Sequence, residues 1–197
     1  MKKTIYICIT GNRDISNEQS IFIKKNIEDF LKKSLENKNL EEIIILTPLA
    51  DGVDRIIADV VLDSFFDMKI LVPLPFGEEI YKNTFGKGLK INNISQAESI
   101  KEYENLLEKI KKHNKCDDVY INLKFDKENY LNQNIEEQRK IRNEQYASLG
   151  EYLIEKSDSL IAVYDENREI KKGSTLEIIN KFDNKRLSNQ KLHKIII

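Results

Sequence analysis

The chain has 197 residues, with 32 basic side chains against 33 acidic ones and a formal net charge of −1. Its overall field therefore would not draw it onto DNA or a membrane surface. Cys8, Cys116, His113 and His193 are too scattered to predict a disulfide framework or a metal cluster. No apolar run approaches the about 20 residues of a membrane-spanning helix. We expect a cytoplasmic protein with no cofactor, no metal and no membrane partner.

Apolar strands alternate with amphipathic helices in the first part of the chain. Ser16 and Gln19 have the spacing of a capping box, and the apolar residues that follow predict a helix that extends to Leu35. A second helix is predicted from Val53, and its apolar face continues to Phe65. Three short apolar runs predict buried strands: residues 4–9, 43–46 and 69–74.

The alternation returns after a less regular middle. Helices are predicted at residues 97–112, 135–155 and 174–182, and strands at 118–123, 159–164 and 193–197. Residues 76–134 are expected to form an inserted helical and loop segment on a single domain of residues 1–197. Strands that alternate with helices form parallel sheets with right-handed crossovers. We therefore expect an α/β, Rossmann-like three-layer sandwich with a mostly parallel sheet.

Three loops at the carboxyl ends of predicted strands carry the candidate ligand-binding residues. In an open parallel sheet, ligands bind beyond these strand ends, where the strand order reverses. Gly11 permits a tight turn and a close approach to the backbone, and Arg13 supplies a planar cation suited to phosphate. The candidate ligand contacts in the first two loops are Gly11, Asn12, Arg13, Ala50, Asp51, Gly52 and Arg55.

The third loop precedes the last predicted helix. It combines a cation with backbone N–H groups and hydroxyls at a helix N-terminus, which favours anions. Its candidate ligand contacts are Lys172, Gly173, Ser174 and Thr175.

Each loop also has a purely structural interpretation. Asp51 or Asp54 could only cap the second helix, and Arg55 could pair with Asp59 on an exposed face. Ser174 could be only an N-cap. Taken together, the three loops favour a pocket for a nucleotide-like anion.

Several segments resemble the SLOG domain, a Rossmann-like superfamily that includes DprA and the LOG phosphoribohydrolases. Residues 9–14 resemble its TGHRD opening, and residues 48–55 resemble its SPLAEGADR segment. Residues 72–76 and 157–165 are similar to two further family segments, and residues 173–175 fall at its GGT. The resemblance spans residues 1–86 and 142–182. It implies a nucleotide-derived ligand, such as the cyclic ADP-ribose-type signals that these domains sense in bacterial defence, often as oligomers.

The sequence departs from the family pattern at several positions. Asn12 replaces the usual His, and Lys172 stands where the family has the first Gly of its pair. The LOG enzymes place a catalytic Glu three residues after their Thr, whereas Glu177 follows Thr175 by two. On a helix, one residue is a rotation of about 100°. The resemblance therefore implies ligand binding more strongly than catalysis.

Two classes of function remain open. In the first, the domain is a sensor: Arg13 holds a phosphate, and Asp51 accepts a hydrogen bond from a ribose hydroxyl. In the second, it is a nucleoside-monophosphate N-glycosidase (phosphoribohydrolase) or a nucleoside deoxyribosyltransferase. Its catalytic carboxylate would then be Glu177, Asp51 or Asp14. The near-neutral charge disfavours a nucleic-acid partner of the DprA kind.

Apolar residues suggest two further features. The helix from Val53 has an apolar face wider than a sheet requires, so we expect the remainder to bind a partner helix in a homo-oligomer. Tyr81, Phe85 and Tyr146 are candidates to stack on a base, although the helical spacing of Tyr146 favours a place in the core.

Overall fold

The computed structural model describes residues 3–36, 40–65, 67–91, 93–185 and 187–197. Its strands form one sheet with the order β4-β3-β2-β1-β5-β6, and every pairing in it is parallel. The strands are β1 (Lys3–Gly11), β2 (Leu40–Leu46), β3 (Met68–Leu74), β4 (Tyr120–Asn122), β5 (Ser159–Tyr164) and β6 (Lys191–Ile196). The prediction of an α/β fold with a mostly parallel sheet is confirmed.

Helices cover both faces of this sheet, which gives the predicted three layers. Helices α1, α2 and α4 share one hydrophobic core with the sheet, and α6 and α7 share a second core on the opposite face. The helices are α1 (Asn17–Leu35), α2 (Val53–Ser64), α3 (Glu78–Lys82), α4 (Gln96–Asn114), α5 (Lys127–Leu131), α6 (Ile135–Lys156) and α7 (Thr175–Lys185). In the described part of the chain, every helix is too short or too polar to cross a membrane.

Burial on both faces explains why the central strands are continuous apolar runs. Ile7 and Ile9 pack into the core beneath α1 and α2, whereas Cys8 between them packs into the core beneath α6 and α7. All three side chains are almost completely buried. Each isoleucine buried in this way stabilises the fold by about 1.5–3 kcal/mol.

The predicted capping box at the start of α1 is confirmed. The Gln19 amide N–H donates to Ser16 Oγ at 3.1 Å, and the Ser16 N–H donates to Gln19 Oε1 at 3.0 Å. These bonds satisfy two donors that a helix start leaves unpaired. They fix the point at which the chain leaves the loop after β1.

Residues 76–134, expected to form an inserted segment, contribute to both the sheet and a helical layer. Helix α4 packs against α2 and β3, and β4 pairs with β3, with Val72 opposite Tyr120. The short strand predicted at 118–123 is therefore present, although it is only three residues long. The loops around α3 and α5 remain at the carboxyl ends of the strands, next to the candidate site.

The apolar face of α2 is not free for a partner helix. Val53, Ile57, Val60 and Val61 are buried, and α1 and α4 both pack against α2. The reason for expecting a homo-oligomer through this face was therefore wrong, because α4 covers the part that the sheet leaves exposed.

The strand order places a crevice between β1 and β5. The chain leaves β1 for α1 on one face, and it leaves β5 for α7 on the opposite face. The loops after these two neighbouring strands therefore diverge. Such a reversal of strand order is the usual ligand-binding place in open α/β sheets.

Candidate ligand-binding site

A cavity of about 490 Å³ lies at the carboxyl ends of β1 and β5. Its walls are the loop after β1, residues 87–89 and the loop that leads into α7. The sequence-predicted residues that line it are Gly11, Asn12, Arg13, Asp14, Gly173, Ser174 and Thr175. The fold thus brings together the first and third predicted loops, which lie far apart in the sequence.

Asn12 has a fixed backbone and an unpaired side-chain donor. Its N–H donates to the carbonyl of Val163 at 3.0 Å, and its carbonyl accepts from the N–H of Val53 at 3.1 Å. Only 8% of Asn12 is exposed, and its side-chain Nδ2 has no hydrogen-bond partner within the structure described. A buried donor without a partner costs about 1–3 kcal/mol, so Asn12 is an energetically costly residue in the wall of the cavity.

Gly11 and Gly52 serve close packing between the first two loops. A Cβ on Gly11 would lie 2.5 Å from Cβ of Val53, and a Cβ on Gly52 would lie 2.5 Å from the carbonyl oxygen of Asn12. Gly52 also has φ of 79°, which disfavours other residues. Gly11 also lines the cavity, and the side chain of Val53 fills the direction in which a Cβ would point.

Asp51 is the centre of an ion and hydrogen-bond network and does not line the cavity. Its Oδ1 contacts the Arg55 guanidinium at 3.1 Å and accepts a hydrogen bond from Ser99 Oγ. Its Oδ2 accepts from Arg13 and, at 3.1 Å, from the N–H of Gly86. Burial alone would raise the pKa of Asp51, but Arg55, Ser99 and Arg13 together hold it below its ordinary value. Both carboxylate oxygens are thus occupied, which leaves little room for the ribose contact expected of Asp51.

Arg55 is buried within the protein rather than in the predicted ligand site or in an exposed pair with Asp59. Its Nε donates to the carbonyl of Leu49 at 3.1 Å, and its Nη1 donates to the carbonyl and Oγ of Ser99, both at 3.0 Å. Nη1 also lies 3.3 Å from Glu102, and the guanidinium stacks over the ring of Phe85. These contacts join α2 to α4, so Arg55 has a structural role: it holds the two helices together.

Arg13 keeps access to the cavities. Its Nη2 donates to Asp51 and, at 2.8 Å, to the carbonyl of Thr84. Its Nε has no partner among the described residues, and 34% of its side chain is exposed. Asp51 orients the guanidinium without covering it. The Nε atom is itself buried, so Arg13 offers the cavities a pre-positioned, partly exposed cation rather than a free Nε donor.

The N-terminus of α7 forms the opposite wall of the cavity. Ser174 Oγ accepts from the N–H of Lys171 at 3.1 Å and from the N–H of Glu177 at 3.3 Å, as an N-cap does. The Glu177 carboxylate accepts from the N–H of Gly173 and lies 3.2 Å from Lys181. Glu177 therefore has a structural role in the helix start. It also uses the backbone donor of Gly173 that was expected to serve a ligand.

Gly173 itself is required by packing. Its φ is 78°, and a Cβ would lie 2.6 Å from Cβ of Tyr146 and 3.1 Å from the carbonyl oxygen of Asn143. Substitution would strain the loop against α6. Thr175 Oγ1 lies 3.4 Å from Thr10 Oγ1 across the two loops.

Three predicted residues lie outside the cavity wall or are already bonded. Lys172 is exposed and lies 3.5 Å from Glu144, away from the cavity. Asp14 lines the cavity, and its carboxylate accepts from the N–H groups of Lys90 at 2.7 Å and Ile91 at 3.0 Å. Ala50 lines a smaller cavity of about 100 Å³, together with Arg13 and Gly173.

Asp54 has an unusual carboxyl group beside that smaller cavity. Its Oδ2 accepts from the N–H of Ala50 at 3.1 Å, whereas no side chain within the described residues caps α2. Burial raises the pKa of Asp54 to about 7, against an opposing effect of the Ala50 hydrogen bond and of Arg55. The alternative interpretation, in which Asp51 or Asp54 only caps α2, is therefore wrong.

Of the three aromatic candidates for base stacking, two lie in the core and one borders a cavity. Tyr81 and Phe85 are 1% and 0% exposed and pack edge to face in the core, so neither can stack on a ligand. Tyr146 is partly buried, and its hydroxyl lies 3.3 Å from Thr84 Oγ1. Its ring also borders a second cavity.

The second cavity, of about 810 Å³, was missed at the sequence level. It shares Arg13, Lys87 and Gly88 with the first cavity. Its far wall is one face of α6: Gln138, Arg139, Arg142, Asn143 and Tyr146. Counted from Gln138, the other four lie one, four, five and eight residues further along the chain, which is the spacing of one helix face. The sequence analysis predicted this helix but assigned no role to its polar face.

Within the described residues, no group of three or more His, Cys, Asp or Glu side chains could hold a metal ion. Comparison with models of known protein families gives no match, and a search of curated proteins gives none either.

Proposed function

We propose that this chain is a binding domain for a phosphorylated, nucleotide-derived ligand, held in the crevice between β1 and β5. The observation that carries the proposal is that Arg13, Asn12 and the N-terminus of α7 all line one cavity. A guanidinium, an amide donor and a helix N-terminus are all suited to phosphate oxygens. The cavity volume lies in the range of small-molecule sites.

The sequence resemblance adds the ligand class and the setting. Residues 9–14 and 48–55, which resemble the SLOG segments, form the two loops that Asp51 joins to one another. On this basis we propose that the chain is a SLOG-type sensor, with a signal of the cyclic ADP-ribose kind as one candidate ligand. A cytoplasmic place in bacterial defence and a homo-oligomeric state belong to the same proposal.

Binding is better supported than catalysis. Glu177 is bonded to Gly173 and lies beside Lys181, Asp14 is bonded to two backbone amides, and Asp51 is surrounded by two arginines. A carboxylate that attacks or protonates at an anomeric carbon must reach it directly. None of these three is presented to the cavity with an uncommitted carboxylate.

A thermal-shift screen tests the proposal. The purified protein is heated with nucleoside mono-, di- and triphosphates, NAD, ADP-ribose and its cyclic forms, and the same mixtures are analysed for free base. We expect at least one nucleotide to raise the melting temperature without release of base. Mass spectrometry of molecules released from the protein as purified would identify a ligand bound during expression. Release of free base would support the glycosidase alternative, and no stabilisation by any nucleotide would contradict both.

A further inference from the structure

The second cavity is basic without matching acidic groups. It is lined by Arg13, Lys87, Arg139 and Arg142, and no aspartate or glutamate is among its described lining residues. Asp51 neutralises Arg13 in part from behind. Within the described residues, no carboxylate is in ion-pair contact with Lys87, Arg139 or Arg142. A concave surface with one sign of charge concentrates its field and attracts counter-ions.

The pairing of neighbouring cations shows that this surplus is local. On the same helix, Lys140 lies 3.1 Å from Glu137. At the adjacent loop, Lys172 lies 3.5 Å from Glu144. Lys140 and Lys172 thus have carboxylate partners, whereas Lys87, Arg139 and Arg142 at the cavity have none within the described residues.

Arg142 is also held in place by a neutral group. Its Nη1 donates to the hydroxyl of Tyr130 in α5 at 2.7 Å. That bond orients the guanidinium without cancelling its charge, and the other nitrogen atoms keep their donors. Burial raises the pKa of Tyr146, and the charges of Arg13 and Arg142, which line the same cavity as Tyr146, both oppose this.

The two cavities are continuous in their lining. Arg13, Lys87 and Gly88 belong to both, so a ligand phosphate at the start of α7 would lie on one side of Arg13, and Arg142 on the other. A mononucleotide can supply an anion to only one of these places. A ligand with two separated anionic groups can supply both.

We infer that the cavity between α3, α5 and α6 is a second anion subsite, and that the ligand is a nucleotide with two separated phosphate groups. Arg139 and Arg142 hold the second phosphate, while Arg13 and the start of α7 hold the first. This inference rests on the proposed function, because it assigns the distal half of the same ligand.

The test compares matched nucleotides. Nucleoside 5′-monophosphates and nucleoside 3′,5′-bisphosphates of the four common bases differ only in the second phosphate. Their affinities are measured by calorimetric titration for the wild type and for the double variant R139Q/R142Q. The control is Lys140→Gln, which removes one positive charge from the same helix outside the cavity. Circular dichroism melts confirm that each variant is folded. Arg142→Lys keeps the positive charge and so tests whether charge alone is enough for the preference for the bisphosphate.

We expect the wild type to bind the bisphosphate of its preferred base about tenfold more tightly than the monophosphate, the factor for one hydrogen bond to a charged group. The double variant should lose this preference, and Lys140→Gln should keep it. Equal binding of both nucleotides by the wild type, or a preference that survives the double variant, would overturn the second subsite alone. If no nucleotide of either series bound, the proposed function itself would fail. Tighter binding of a single-stranded oligonucleotide than of any bisphosphate would show a nucleic-acid groove instead.

Discussion

Arg13 and Arg55 contact the same carboxylate from two regions that differ in every other respect. Arg55 lies in the inner seam, the contact of Arg55, Asp51 and Ser99 between α2 and α4, where 9% of its side chain is exposed. Arg13 lies at the cavity, with 34% exposed and its Nε unpaired. One aspartate thus fixes two guanidinium groups. The difference teaches that pairing with a buried acid does not define a residue's role, whereas the exposure of its side chain does.

Arg55→Met tests the inner seam and should have the largest effect. The substitution leaves Asp51 buried with one cation fewer and removes the donors to Leu49 and Ser99. Loss of one member of a buried ion pair costs about 3–5 kcal/mol. We expect a loss of this size in the free energy of unfolding, measured by urea denaturation. A loss below about 1 kcal/mol would mean that the seam does not hold α2 to α4.

Arg13→Met tests the cavity with the same chemical change. Asp51 keeps Arg55, Ser99 and Gly86, so the stability loss should be about 1 kcal/mol, as for a partly exposed pair. Binding of the nucleotide that stabilises the wild type most should weaken by about 1.5–3 kcal/mol, the contribution of a hydrogen bond to a charged group. Calorimetric titration measures this loss. Unchanged affinity in a folded Arg13→Met variant would exclude Arg13 from the site.

Sequence patterns predicted the sheet because they depend on local chemistry. The apolar run at Ile43–Leu46 requires burial on both faces, and Ser16 with Gln19 specifies a helix start; neither needs knowledge of distant residues. The place of Arg13 followed from the same reasoning, since a strand end in a parallel sheet lies at the ligand edge.

Long-range packing explains what the sequence could not show. The partner of Arg55 in α4, Ser99, is 44 residues away, and nothing in either segment predicts that they meet. Gly11 and Gly173 line the cavity, but their close packing against Val53 and Tyr146 could not be predicted from the sequence. The α6 wall was missed because a polar helix face is the same in sequence whether it borders a cavity or bulk water.

Asp54→Asn extends the comparison to a second buried carboxyl group near Arg55. The pKa of Asp54 is raised from 3.8 to about 7, so between these values the folded state holds a proton that the unfolded state has released. The free energy of unfolding should therefore fall as the pH rises from 4 to 7, by about 1.4 kcal/mol per pH unit, and level off above pH 7. Asp54→Asn should flatten this slope, as urea denaturation across the pH range would reveal. The lowered pKa of Asp51 acts in the opposite direction and only below pH 4.

Glu177→Gln should have the smallest effect, because it changes charge at the cavity wall while retaining shape. Glutamine keeps an oxygen that can accept from the N–H of Gly173, but it loses the favourable charge near the start of α7 and the contact with Lys181. The expected loss in stability is about 0.3–1 kcal/mol. The nucleotide-induced rise in melting temperature should persist, since the carboxylate faces its own helix start and Arg13 is untouched.

The control for Glu177→Gln must change the same wall of the cavity without disturbing the loop. Gly173→Val is unsuitable, because its side chain would clash with Tyr146. Thr175→Val is the matched control, since it changes a cavity-lining hydroxyl and leaves Glu177 in place. The opposite outcome is that the wild type releases free base from a nucleotide and that Glu177→Gln stops the release without preventing binding. Glu177 would then be a catalytic residue that acts at the cavity, as Arg13 does, and not a structural residue like Arg55.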